Sequence, residues 1–176
     1  MPSKRNNHLT VQEIAIFGML GALMYASKWL MEILPNIHLI GVFTIAITVV
    51  YRAKALYPLY IFVFLTGLFA GFATWWVSYL YTWTILWAIT MLLPQRMPVA
   101  LQPIVYAVVC SLHGFLYGVL YLPVQMIFFH LKPAGILSWL LVGIGFDITH
   151  GISNFVCGLL ICPLILALRQ AKKLSG

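Results

Sequence analysis

The chain has 176 residues, of which 63% are apolar and only 7% charged, against roughly half apolar and a quarter charged in an ordinary soluble domain. So few charges cannot cover a water-facing surface, which excludes a soluble domain, and the apolar residues recur in stretches long enough to cross a bilayer. The formal net charge of +7 sits at the ends of those stretches and forms no basic stripe, so it fits membrane orientation and not nucleic-acid binding.

Spans of ~20 residues leave room for six helices with short connections, giving one integral membrane domain over 1–176. Met1 to Asn7 is basic and polar, and no small-residue cleavage pattern closes the apolar run behind it, so that run reads as a retained helix. Thr10, Val11, Gln12 and Glu13 form a capping-box pattern that starts the first span. It runs to about Leu34 and is ended by Pro35 and Asn36. The second span runs from about His38 to Tyr51 and closes at Arg52-Ala-Lys54. The third covers about Leu56 to Phe72, and the fourth about Trp75 to Leu93, stopped by Pro94 and Pro98 around Arg96. The fifth extends from about Val99 to Phe129. Ala134 to Arg169 is too long for one straight span, so it is expected as one long sixth helix broken or kinked at Gly143, Gly145 or Gly151. Lys4, Arg5, Arg52, Lys54, Arg96, Arg169, Lys172 and Lys173 then all fall on one side of a six-helix zigzag. By the positive-inside rule both termini are cytoplasmic. The expected fold is an all-α membrane protein, a six-transmembrane-helix bundle. Cys110, Cys157 and Cys162 lie within apolar segments and are expected to pack as small hydrophobes.

A charge within a bilayer costs roughly 2.5 to 3.5 kcal/mol on insertion scales, so each one in a span asks for a reason. Lys28 and Glu32, four apart near the outer end of the first helix, can neutralise each other as an interfacial pair, or Lys28 can stand on the rim of an outward cavity. Asp147, His150 and Asn154 share a helix face at spacings of three and four. They can line a ligand site, form a structural hydrogen-bond cluster, or relay protons. His113 and Tyr117, also four apart, can face that cluster, although a buried histidine bonded to a neighbouring helix is the commoner case. Trp75, Trp76, Tyr79, Tyr81, Trp83 and Trp87 crowd the start of the fourth helix, more rings than an interfacial anchor needs, and suggest a stacking wall for a flat heterocycle. Tyr121, Gln125 and Met126 can complete it. Gly18, Ala22 and Ala26 form a small-residue ladder that lets another helix approach closely. No H-E-x-x-H or C-x-x-C pair supports a metal site. No nucleotide loop, nucleophile elbow or triad supports ATPase or other enzyme activity.

These features resemble the substrate-binding S component of energy-coupling factor (ECF) vitamin transporters. The short motif on the first helix reads Ala22-Leu-Met-Tyr-Ala26, and size, topology and outer-face aromatics extend the likeness over essentially the whole chain. Pro35-Asn-Ile-His38, Trp75-Trp76, Leu112-His-Gly114 and the segment Phe146 to Asn154 are most similar to S components assigned to cobalamin, while Lys28 keeps pantothenate, thiamin-like and queuosine-precursor ligands open as alternatives. The resemblance implies a multi-pass protein of the bacterial cell membrane that grips a vitamin at its outer face and binds no cofactor itself. It also implies docking, through Gly18, Ala22 and Ala26, on a transmembrane coupling subunit whose two cytoplasmic ATPases use ATP. The substrate contacts it implies draw on Lys28, His38, the ring wall and the Asp147 face. The competing expectation is a stand-alone carrier or channel using Asp147 and His150 as a proton relay.

Overall fold

The computed structural model of the chain describes residues 9–34 and 36–174. Lys4 and Arg5, two of the cations in the orientation argument, lie outside the described residues, as does Pro35. Among the described residues the structure is all-α, with eight α-helices and two short 3-10 turns, the α-helices joining into six rods.

Helix α1 (Val11–Leu30) opens on the expected capping box. Thr10 Oγ1 accepts from the Glu13 amide and Glu13 Oε2 from the Thr10 amide, each at 3.1 Å, satisfying two donors that a helix start leaves orphaned. The other Glu13 oxygen takes Lys54 Nζ at 2.6 Å. After a 3-10 turn (Met31–Ile33) the chain enters α2 (Ile40–Tyr51), which ends where Arg52 adopts φ +53°. A second 3-10 turn (Arg52–Ala55) leads to α3 (Leu56–Ala70), followed by α4 (Thr74–Leu92).

Side-chain contacts define the directions. His38, just ahead of α2, packs on Trp83, and Arg52, just beyond α2, donates to the Met91 carbonyl, so α2 and α4 run the same way. Trp76 donates to the Val63 carbonyl and Tyr60 to that of Leu80, so α3 and α4 run opposite ways. Helices α2 and α3 are therefore antiparallel, and the apolar stretch Ile40–Ala70 is two short helices folded at Arg52. Helix α2 would span only ~18 Å, and eleven of its twelve residues are buried. It is the central post of the bundle.

The fifth rod comprises α5 (Gln102–Phe115) and α6 (Tyr117–Phe129), where a continuous helix was expected. It is interrupted at Leu116, whose φ of −95° and ψ of 6° leave the helical region. The sixth comprises α7 (Pro133–Gly158) and α8 (Ile161–Leu174). The break expected at Gly143, Gly145 or Gly151 does not occur there, because α7 runs unbroken through all three. The interruption comes at Leu159–Leu160, just before Pro163, which has no amide to continue the ladder.

Helices α5 and α7 cross antiparallel and very closely. A Cβ added to Gly114 would stand 2.7 Å from the His150 carbonyl oxygen, and one on Gly158 2.7 Å from Ala107 Cα. Ser111 donates to the Gly151 carbonyl at 2.8 Å and Asn154 to that of Cys110 at 3.3 Å. This is packing by small residues and interhelical hydrogen bonds, the means available where lipid removes the hydrophobic driving force.

By length and composition four stretches, Val11–Ile33, Ile40–Ala70, Gln102–Phe129 and Pro133–Gly158, are long and apolar enough to cross a membrane, the second of them folded back on itself at Arg52. Their outward residues, such as Leu23, Phe64, Ile127, Leu141 and Phe155, are large, apolar and exposed. So continuous an apolar surface marks a multi-pass membrane protein. Arg52, Lys54, Arg96, Arg169, Lys172 and Lys173 gather at one end of the bundle, and Lys28 and Lys132 at the other.

Candidate functional site

At the end away from the six cations, the connection between α1 and α2 folds back over the bundle. Asn36 holds φ +63°, a left-handed conformation that a short amide side chain tolerates better than most, and its carbonyl accepts from Ser153 of α7 at 3.2 Å. That contact seats Asn36 and His38 among α1, α4, α6 and α7. The space they enclose is a cavity of about 440 Å³ bordered by Lys28, Glu32, Asn36, His38 and Tyr79. A second cavity of about 480 Å³ lies between α6 and α7, bordered by Gly118, Gly135, Ser138, Trp139 and Asp147. Asn36, Tyr117, Tyr121, Phe146 and His150 line both, so the two adjoin as neighbouring lobes, each of the size that holds a small ligand.

Their inner wall is a connected set of rings. Tyr117 stacks on His150 at 4.7 Å and leans on Tyr121 at 4.9 Å, their hydroxyls 3.3 Å apart. His38 and His150 lie 5.2 Å apart. Beneath them Trp83, 1% exposed, touches His38, Tyr79, His113 and Tyr117. Deeper still the bundle is closed by Ile45, Leu86, Ile161 and Ile165, all buried. The hydroxyls at that depth, Thr44, Thr48 and Thr90, each donate to a carbonyl of their own helix. The concavity thus has a closed floor, and its α6–α7 lobe also opens sideways, where Val142 and Phe146 are exposed.

Of the residues singled out in the sequence, the structure brings Lys28, His38, Tyr79, Tyr117, Tyr121, Asp147 and His150 together on its lining. Lys28 and Glu32 form the expected pair, Nζ to Oε1 3.7 Å. Trp83, His113 and Asn154 form the floor and do not reach the space. His113 Nε2 meets the Thr82 carbonyl at 3.1 Å, and Asn154 is spent on Cys110. The ring wall of α4 divides: successive residues point about 100° apart around a helix. Only Tyr79 enters the cavity. Trp75 packs edge-on behind it, Trp76 bonds into α3, Tyr81 reaches the Leu120 carbonyl on α6, and Trp87 that of Arg52 at the basic end. Gln125 is half-buried on α6 and lines neither lobe. Gly18, Ala22 and Ala26 face outward. Nothing lies within 4 Å of a Cβ placed on Gly18, while Gly21 on the neighbouring face meets Ile61 of α3.

Asn36 and Phe146, which fall within the segments that carry the resemblance, also line it, as do Gly118 and Trp139, which no motif in the sequence singles out. Gly118 matters through its backbone: its amide donates to Asp147 Oδ1 at 2.8 Å, and its carbonyl accepts from Trp139 Nε1 at 3.2 Å. Among the described residues no three histidine, cysteine or acidic side chains are grouped to hold a metal ion, and the three cysteines are free. Compared with family models, with curated proteins and with solved structures, the chain matches none of them.

Proposed function

We propose that this chain is the substrate-binding S component of an ECF-type vitamin transporter, spanning the bacterial cell membrane six times with its basic end in the cytoplasm. The observation that carries the reading is the cup: a ring-lined concavity opening at the end with few cations, above an apolar floor. Such a chain can grip a solute but offers no path for it, so an outside motor must move it. A chain without a nucleotide-binding loop needs that motor in partner subunits. The outward Gly18, Ala22 and Ala26 ladder supplies a face on which a coupling subunit could close, since α1 packs on α3 through a different face. The proton-relay carrier is supported less well. Asp147 and His150 each bond a nearby backbone group, and the layer below them is apolar.

Cobalamin is the substrate the resemblance favours, and the two lobes would seat only part of so large a ligand. The reading is tested by equilibrium dialysis of the purified chain against a vitamin panel that includes cobalamin, with mass spectrometry of whatever copurifies. Binding tighter than ~10 μM to at least one vitamin is expected, with uptake only when the coupling subunit and both ATPases are present. Proton-driven uptake by the chain alone in proteoliposomes would instead establish the carrier.

A docking prediction follows from the ladder. Gly18→Leu or Ala26→Leu is expected to cut copurification with the coupling subunit at least ten-fold, while ligand affinity stays within two-fold. Loss of ligand binding with assembly intact would reverse the assignment of that face.

A further inference from the structure

We infer that the solute this cavity takes carries a positive charge on or beside an aromatic ring, and that the Asp147 carboxylate receives it. The inference rests on reading the cup as a solute site, and narrows that site to a chemical class.

Charge balance is the first ground. By formal charge, with histidines counted neutral, the acidic and basic groups lining the two lobes are Lys28, Glu32 and Asp147. Lys28 and Glu32 offset one another. Asp147 has no cation within 4 Å among the described residues, and its only hydrogen bond is the Gly118 amide on Oδ1. An ionised carboxylate has about four acceptor sites, so most of this one is unused. Carboxylates within a membrane span are rare, and those present face a partner or a pathway.

Capping is the structural alternative. Gly118 lies in the first turn of α6, just past the break at Leu116, where an amide lacks an intrahelical partner. An asparagine carbonyl would accept from that amide equally well. The cap therefore explains a polar oxygen at this position but not a negative charge.

The walls are the second ground. Tyr117, Tyr121, Trp139 and Phe146 border the lobe that holds Asp147, and aromatic faces attract organic cations, most strongly where water is excluded. A neutral ligand filling the lobe would leave the carboxylate desolvated and unpaired, and an anion would be repelled by it. A quaternary or protonated heterocycle satisfies carboxylate and rings together.

The test uses the full chain in detergent and ligands matched in shape: 1-methylnicotinamide (cation), nicotinamide (neutral) and nicotinate (anion), with thiamin, pyridoxine, pantothenate and cobalamin as larger probes. Equilibrium dialysis is expected to show each cation binding at least ten-fold more tightly than its neutral or anionic counterpart. Asp147→Asn should abolish that preference without moving the melting temperature, since the cap survives, and Asp147→Glu should keep part of it. The inference is overturned if no cation binds, if neutral or anionic probes bind as well as cations, or if Asp147→Asn leaves cation binding unchanged. Tight binding of cobalamin or pantothenate with the cations excluded would overturn it while leaving the S-component reading standing. Failure of every probe to bind would remove both.

Discussion

Trp83→Ala is expected to destabilise the protein by about 3–5 kcal/mol, the range for deleting a buried aromatic side chain. Trp83 is 1% exposed and lies at 5.4–6.4 Å, centroid to centroid, from His38, Phe62, Tyr79, His113 and Tyr117. Those neighbours come from the α2 approach and from α3, α4, α5 and α6, so one indole ties five parts of the bundle. In lipid the loss is one of packing contacts rather than of transfer from water. A chain of this size should lose roughly 6–20 °C in melting temperature, measured by scanning fluorimetry in detergent. Trp83→Phe is expected to cost much less, because it keeps a ring and removes an indole N–H that has no hydrogen-bond partner. A melt for Trp83→Ala within 2 °C of the parent would show that the floor does not hold the bundle.

Gly114→Leu is expected to part α5 from α7 and to weaken ligand binding more than a hundred-fold. The added Cβ would stand 2.7 Å from a carbonyl oxygen and 2.8 Å from Asn154 Nδ2, and backbone cannot yield as a side-chain tip can. Overpacking of this kind costs about 1–3 kcal/mol or more, and here it also shifts the stretch of α7 that carries Asp147 and His150. Gly145→Leu, on the partner helix α7 but with open space around its Cβ position, is the control and should stay within about 0.5 kcal/mol of the parent. Equal behaviour of the two variants in size-exclusion profile and ligand binding would mean that the close crossing is not what positions the cup.

Much of the helical layout is legible in the residues. Thr10 and Glu13 announce the start of α1, Arg52 and Lys54 mark the fold between α2 and α3, and Pro94 and Pro98 end α4, because caps, charges and prolines act locally. The interruption at Leu116 is not legible in the same way, whereas that at Leu159 has a local sign in Pro163 that the glycines upstream outweigh. Gly143 and Gly145 look like better places to break a helix, yet a glycine only permits a bend, and nothing packs there to require one. The rings of α4 show the same limit. Six tryptophan and tyrosine residues within thirteen positions suggest one wall, but they radiate around the helix axis and only Tyr79 faces the cavity.

Small residues make the clearest division. Gly18, Ala22 and Ala26 on one helix, and Gly114, Gly118, Gly151 and Gly158 on others, are alike as letters, and spacing cannot say which set closes against a neighbour. Composition and the placing of charge were enough to determine an apolar, all-helical chain with its cations gathered at one end, because lipid admits few other arrangements of such residues. Which helices cross, and so whether Asp147, His150 and Tyr117 share one space, was decided only by the tertiary packing of α5 and α7. That depends on side chains from distant parts of the chain meeting within van der Waals contact, a relation that sequence proximity does not encode.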